Sequence, residues 1–360
     1  MERRGGRPIK IWRRRSKMYS PKRRIRMLNV PPWNPAIYTW TDLSGAPSAN
    51  IFYGIDVTSD FTTQISTRRS TTTGAQGPYI STDGGATWTR KVTGMTFLTD
   101  GISYTNDVAV ASGNSNIMYA ANQRTTGTSQ FDGLYKSTDR AETWSAVSPA
   151  DCRWNSVECS SNGSNILAMN IAGPSTPTDY NGKVVVSTDG GSSWTVPSVA
   201  SGSNSWRTGA MSADGTRMYA LRNGGGVVYR SSDTGATWAS VSVTDTPWSV
   251  ACSSDGLTVL VGRSSKPILS RDGGVTFSTI SVLPTGNWLL IGMSEDARTM
   301  VAGLSSSSYL WVSKDSGQSW VEQRHGPQFL WETAGVNSNG TNLIASRGQT
   351  GRPWLGVPPA

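Results

Sequence analysis

Residues 187–194 read Ser187-Thr188-Asp189-Gly190-Gly191-Ser192-Ser193-Trp194, and the same eight-residue phrase returns five more times along the chain. The copies are centred on Asp83, Asp139, Asp189, Asp233, Asp272 and Asp315, which lie 56, 50, 44, 39 and 43 residues apart. Ser holds the first position, Asp the third, Ser or Thr the seventh and an aromatic residue the eighth. In a tight turn between two strands such an Asp carboxylate accepts several backbone N–H groups, and the Gly two residues on supplies a conformation that side chains resist. The hydroxyl adds a local bond, and the aromatic ring folds down over the turn. One carboxylate per copy, in separate units, argues against a metal site.

A second element alternates with the first. It opens on an aromatic residue, runs through an Asn-Gly or Asp-Gly type of turn and returns as an apolar strand, which is a β-hairpin signature. Copies start at Trp154, Trp206, Trp248, Trp288 and Trp331, with looser ones near Trp40 and Tyr104. Periods of this length filled with strands belong to propeller blades, not helical solenoids. The expected fold is all-β: a single β-propeller of four-stranded antiparallel blades, with seven hairpins giving seven blades and six as the alternative if the last copy is only a cap. The copy from Trp331 lacks a fourth strand, so a strand around residues 28–33 is expected to complete it and close the ring.

The eight-residue phrase resembles the Asp-box, or bacterial neuraminidase repeat, over about residues 38–347. The resemblance implies a propeller with the box joining the third and fourth strands of each blade, on the outer rim. It spans sialidases, xyloglucan hydrolases, sortilin-type receptors and a photosystem assembly factor, so it implies a fold and leaves the activity open. Ala141 stands where Gly is expected and Phe277 where Trp is expected; these two turns should be the least ideal.

Sialidase activity would require an arginine triad, a Tyr–Glu nucleophile pair and an Asp acid, and the Arg-Ile-Pro motif that often opens such domains is absent, with Gly6-Arg7-Pro8-Ile9 only a scrambled echo. Xyloglucan hydrolases of this type use two propellers, and the chain has the length of one. Other glycosidases need two carboxylates facing across a pocket. Glu332 is the best placed of six glutamates, with Asp42 and Asp107 as its nearest partners by strand position. His325 is the only histidine, and no glycine-rich phosphate loop precedes a helix. No catalytic residue, metal or cofactor is therefore assigned; if the chain is an enzyme, a glycoside hydrolase is the expected class.

Six tryptophans open hairpins: Trp40, Trp154, Trp206, Trp248, Trp288 and Trp331. With the first hairpin strand innermost, they form a ring that either packs between blades or offers a face for sugars or a protein. The stretches 56–78, 123–132 and 173–182 read as long polar loops on one side, suited to recognition.

The formal charge of +9 on a chain with only 16% charged residues must be concentrated somewhere. Residues 1–27 hold 12 Lys or Arg and one acid, whereas the other 333 carry 21 bases against 23 acids. Residues 1–27 are thus a basic arm, and 28–360 the propeller. Its two clusters are Arg13, Arg14, Arg15 and Lys17, then Lys22, Arg23, Arg24 and Arg26. So dense a like charge is expected to stay extended until it meets an acidic partner, nucleic acid or protein. Trp12 and Tyr19 add stacking to the first of these. A basic arm on a neutral β domain has the layout of virion components. No stretch approaches the roughly 20 apolar residues of a membrane span, and the amino terminus lacks the apolar core of a secretory signal. An organellar transit peptide stays open, although Gly5, Gly6, Pro8 and Pro21 would break its helix. Cys152, Cys159 and Cys252 are too few and too irregular for a disulfide framework and read as buried thiols.

Overall fold

The computed structural model describes residues 38–46, 51–69, 76–97, 103–124, 133–150, 152–171, 182–200, 205–306, 308–324, 326–347 and 351–358. The arm with its Arg and Lys clusters, the strand expected at 28–33 and His325 lie outside them. The described residues form seven antiparallel sheets in chain order. Their innermost strands are Ile51–Val57, Ser103–Val110, Trp154–Cys159, Trp206–Met211, Pro247–Cys252, Trp288–Met293 and Trp331–Val336, which number the blades 1 to 7. Each innermost strand touches the next, and Ile51–Val57 touches both Ser103–Val110 and Trp331–Val336, so the ring is closed. Blade 3 has three strands, with Thr195 bridging to Val186 where a fourth would lie.

The blades stick together through aromatic wedges. Trp154, Trp206, Trp288 and Trp331 are completely buried, and each packs one blade back. Trp154 meets Ala109 and Tyr119 of blade 2, Trp206 meets Leu167 and Met169 of blade 3, and Trp331 meets Leu290 and Val301 of blade 6. Truncating a wedge of this kind costs about 3–5 kcal/mol.

All six Asp-boxes directly follow the third strand of their blade, in the turn to the fourth strand or, in blade 3, to the bridge that stands in its place, and their bonding is nearly identical. In the first, the Ser81 hydroxyl donates to Asp83 Oδ1 (2.8 Å) and accepts from Gly85 N (2.8 Å). Thr87 donates from its backbone to Oδ1 (2.9 Å) and from its hydroxyl to Oδ2 (2.6 Å). These bonds hold the carboxyl below its usual range, down to about 2 at Asp139 and Asp189, where the bond from the hydroxyl of residue seven is the largest cause. A depressed carboxyl stabilises the fold above its unfolded value and loses that contribution as pH falls toward 2. The turn requires two consecutive left-handed residues, not one. Gly84 and Gly85 fill them in the first box (φ 71° and 96°), while the second uses Arg140 and Ala141 (φ 59° and 62°). The Ala141 box keeps its hydrogen bonds, with Ala141 N still 2.8 Å from the Ser137 hydroxyl; its departure lies in backbone strain. Phe277 lacks the indole N–H that Trp88, Trp194, Trp238 and Trp320 donate to the carbonyl of the box Gly.

Two expectations require correction. The strand that completes blade 7 is Thr39–Asp42, paired with Trp354–Val357 from Thr39↔Val357 to Asp42↔Trp354. Trp40 therefore belongs to an outer strand, and Phe52 takes the wedge position in blade 1. Nor is 56–78 one long loop: Gln64–Arg69 is a strand paired on both sides. Its Gln64, Ser66 and Thr67 are buried although polar, which hides the strand pattern. Just before the closing strand, Tyr38 is wholly buried, its hydroxyl bonded to Gly340 O and accepting from Lys314 Nζ (2.7 Å).

Deleting residues 1–44 removes Tyr38 and the closing strand and should lower stability by more than about 4 kcal/mol. Thermal denaturation would show this as a loss of roughly 6 °C or more. Arg140→Gly should stabilise by about 0.5–1 kcal/mol, since relief of left-handed strain exceeds the added chain entropy of Gly; urea denaturation checks the sign.

Candidate functional site

Every innermost strand starts with a defect. The register slips between Trp154 and Ser156, Trp206 and Thr208, Pro247 and Ser249, Trp288 and Leu290, and Trp331 and Thr333. Blade 2 slips between Thr105 and Asp107, and blade 1 between Phe52 and Ile55. A bulge frees one residue from the ladder and re-aims its side chain. The residues at these slips are Tyr53 with Gly54 in blade 1 and Asn106, Asn155, Arg207, Trp248, Leu289 and Glu332 in the others, and Tyr53 and those six line a single axial cavity of about 510 Å³.

This separates the six hairpin tryptophans. Four are interblade wedges and offer no binding face, and Trp40 packs against Tyr38 and Trp331 in the outer layer. Trp248 alone reaches the channel, because Pro247 takes the buried wedge position and shifts the indole by one residue into the bulge. Its Nε1 is buried without a hydrogen bond among the described residues. Arg207 stacks on its ring at 4.2 Å, donates from Nε to Trp248 O (2.9 Å) and from Nη1 to Asn223 Oδ1 (3.2 Å). Burial lowers the Arg207 pKa, and the charge of Glu332 works against that shift.

The bulge residues also join blades. Asn106 Nδ2 donates to Asn155 O (2.8 Å) and Oδ1 (2.7 Å), and Asn155 Nδ2 donates to Trp206 O (3.3 Å) and to Arg207 O. Ser249 donates to Trp288 O (3.2 Å), and Ser346 of blade 7 donates to Phe52 O of blade 1 (2.7 Å). At the Asp-box end, backbone bonds join successive hairpin turns: Ser161 N to Ala213 O, Ala213 N to Ser254 O and Ser254 N to Glu295 O.

Deeper in the channel lie Asp56, Asp107 and Glu158. Asp56 accepts Val57 N on Oδ1 (2.8 Å) and, across the blade boundary, Val110 N on Oδ2 (2.8 Å). Asp107 repeats the device with Val108 N (3.0 Å) and Val157 N of blade 3 (3.2 Å). Burial raises Asp56 to about 7 and Asp107 to about 6, against these bonds. Burial also drives Glu158 well above the carboxylate range, with Asp107 and Asp56 adding repulsion. Asp42 is on the outer closing strand, remote from the innermost strand that carries Glu332. The channel residue read from sequence as Glu332, with Asp107, is joined by Asp56, Asn106, Asn155, Glu158 and Arg207, which sequence reasoning passed over. For Asn155 and Arg207 the signal was position, since each directly follows the tryptophan that opens its hairpin; Asp56 and Glu158 sit in regular ladder positions and carried no such signal.

Among the described residues no three His, Cys, Asp or Glu side chains are placed to hold a metal ion, and no helix is long and apolar enough to cross a membrane. A family model for the BNR/Asp-box repeat matches residues 79–90. No curated protein matches by sequence. Among solved structures, YCF48 bound to D1 peptide is similar at 14% identity and a TM-score of 0.63, over 91% of this chain and 98% of that one. A GH74 xyloglucanase from Xanthomonas campestris aligns at 14% identity and a TM-score of 0.65, over 86% of this chain and 52% of its own, so the present chain spans about half its length. The β-propeller domain of Cps50 (Swd1) from Myceliophteria thermophila aligns at 11% identity and a TM-score of 0.63, over 89% and 99%. These likenesses establish a shared propeller fold.

Asp56→Ala strips two buried N–H groups of their acceptors and should cost about 2–4 kcal/mol. Chemical denaturation measures the loss, and an unchanged midpoint would refute the role of this carboxyl in joining blades.

Proposed function

We propose that this Asp-box propeller is a non-enzymatic interaction protein whose channel mouth seats a segment of a protein partner. Its Arg-rich arm anchors it to an acidic partner, nucleic acid or protein, within a larger assembly such as a virion. The observation that carries the non-enzymatic reading is the state of the channel aspartates. A glycosidase needs one carboxyl free to give a proton and another free to attack or to activate water. Both oxygens of Asp56 and of Asp107 already accept backbone N–H groups that join adjacent blades, which leaves Glu158 and Glu332, on the innermost strands of blades 3 and 7, as the channel carboxyls a hydrolase would have to use.

The mouth offers what a polypeptide needs. Trp248 and Tyr53 supply aromatic faces, Asn106 and Asn155 supply amides, and Arg207 and Glu332 supply opposite charges. A propeller of the same fold is described as bound to a peptide, which supports the reading by analogy. The second reading, a carbohydrate-active propeller, draws on Glu332 beside an aromatic platform and on the fold shared with a xyloglucanase.

Full-length protein should be retained on heparin in a salt-dependent manner, and deletion of residues 1–27 should abolish retention while leaving the melting temperature unchanged. Undiminished retention after the deletion would remove the arm from the reading. Incubation with xyloglucan and with sialyllactose should release no sugar; turnover that disappears in Glu332→Gln would move the channel to the carbohydrate-active class.

A further inference from the structure

Two carboxyls of the channel floor occupy a layer otherwise made of small residues. At the register position of Asp56 and Glu158, the other five blades carry Ala109, Ala210, Ala251, Gly292 and Gly335. Space is therefore left in front of the two acids, and Asp107 of the intervening blade lies close enough to interact with both. No ion pair among the described residues reaches any of the three. Glu158 makes no hydrogen bond among those residues, and beside it the Ser156 hydroxyl, 99% buried at the same wall, has no partner within hydrogen-bond distance, although it lies close enough to Asp107 to lower that carboxyl's pKa. Arg207 is the one cation among the lining residues, and its guanidinium is committed to Trp248 O, Asn223 and the indole ring.

We propose that this floor receives the cationic tip of one side chain, a guanidinium or ammonium group, carried by a polypeptide segment seated in the channel. The inference rests on the reading of the channel as the seat of such a segment and adds what the segment must carry. Three half-buried carboxyls gathered at one wall without a countercharge repel one another, and they relieve the repulsion by holding protons. A single inserted cation relieves it instead, donates to the free lone pairs of Asp56, Asp107 and Glu158, and offers a donor to Ser156. A guanidinium fits better than a compact metal ion, because its five donors spread over the separated acceptors. Insertion displaces the protons, so affinity rises with pH. The other titratable group lining the floor is the Cys252 thiol, which burial holds neutral, with the Cys159 thiol packed against the neighbouring core and likewise held neutral by burial, and with Tyr53, Glu332 and Arg207 nearer the mouth.

Calorimetric titration of the full-length protein with N-acetyl-Ala-Arg-Ala-amide and with its Gln counterpart tests this. The Arg peptide should bind about tenfold tighter or better at about pH 8, the worth of one charge-assisted hydrogen bond. That preference should shrink at about pH 5.5, where the carboxyls hold their protons. Glu158→Gln, an isosteric change that leaves both blade-joining aspartates in place, should reduce the preference at least about threefold with an unchanged melting temperature. Equal binding of the two peptides would overturn the cation site while leaving the channel as a seat for polypeptide. Binding of neither at millimolar concentration would overturn both readings.

Discussion

A β-blade leaves the backbone groups of its innermost strand at an open edge, and a ring of seven such edges around one axis concentrates unpaired N–H and C=O groups in a confined space. The molecule answers that constraint mostly with side chains. Asp56 and Asp107 each accept one N–H from their own strand and one from the next blade, while Asn106, Asn155, Arg207, Ser249 and Ser346 donate to carbonyls of the following blade. The same side chains thus hold the ring together and shape the channel. Much of the polar surface of the channel is thereby committed to structure.

The Asp-boxes solve the corresponding problem at the other end of each blade. A two-residue left-handed turn exposes several N–H groups at once, and one carboxylate with one serine hydroxyl satisfies them locally. Because each box closes its own turn, it tolerates a poor backbone residue such as Arg140 without disturbing its neighbours. The interblade wedges are less forgiving: Trp154, Trp206, Trp288 and Trp331 fill space that belongs to two blades at once.

Local self-sufficiency of this kind is what makes a feature legible in sequence. The six boxes, the antiparallel blades and the count of seven were readable because short, repeated turn chemistry determines them. Trp40 misled because the aromatic of an outer strand looks the same in sequence as a wedge. Trp248 reaches the channel for a reason peculiar to its blade, since its neighbour Pro247 holds the wedge position. Asn106, Asn155 and Arg207 escaped notice because a bulge is defined by its partner strand, and Asp56 and Glu158 because the groups that surround them come from other blades. Buried polar residues such as Gln64 and Ser66 concealed a whole strand for a similar reason: their partners are far away in the chain.

The closing strand has one further consequence, a mechanical one. Thr39 and Val357 are paired at the same end of blade 7, with Asp42 and Trp354 at the other, so the chain enters and leaves that strand pair from a common side. A force drawing residues 38 and 358 apart would load the ladder one hydrogen bond at a time, in the manner of a zipper, instead of shearing all of it together. The ring is therefore held laterally by its buried wedges and yet weak to tension across residues 38 and 358, and a tether that pulls on only one of the two leaves that weakness untouched.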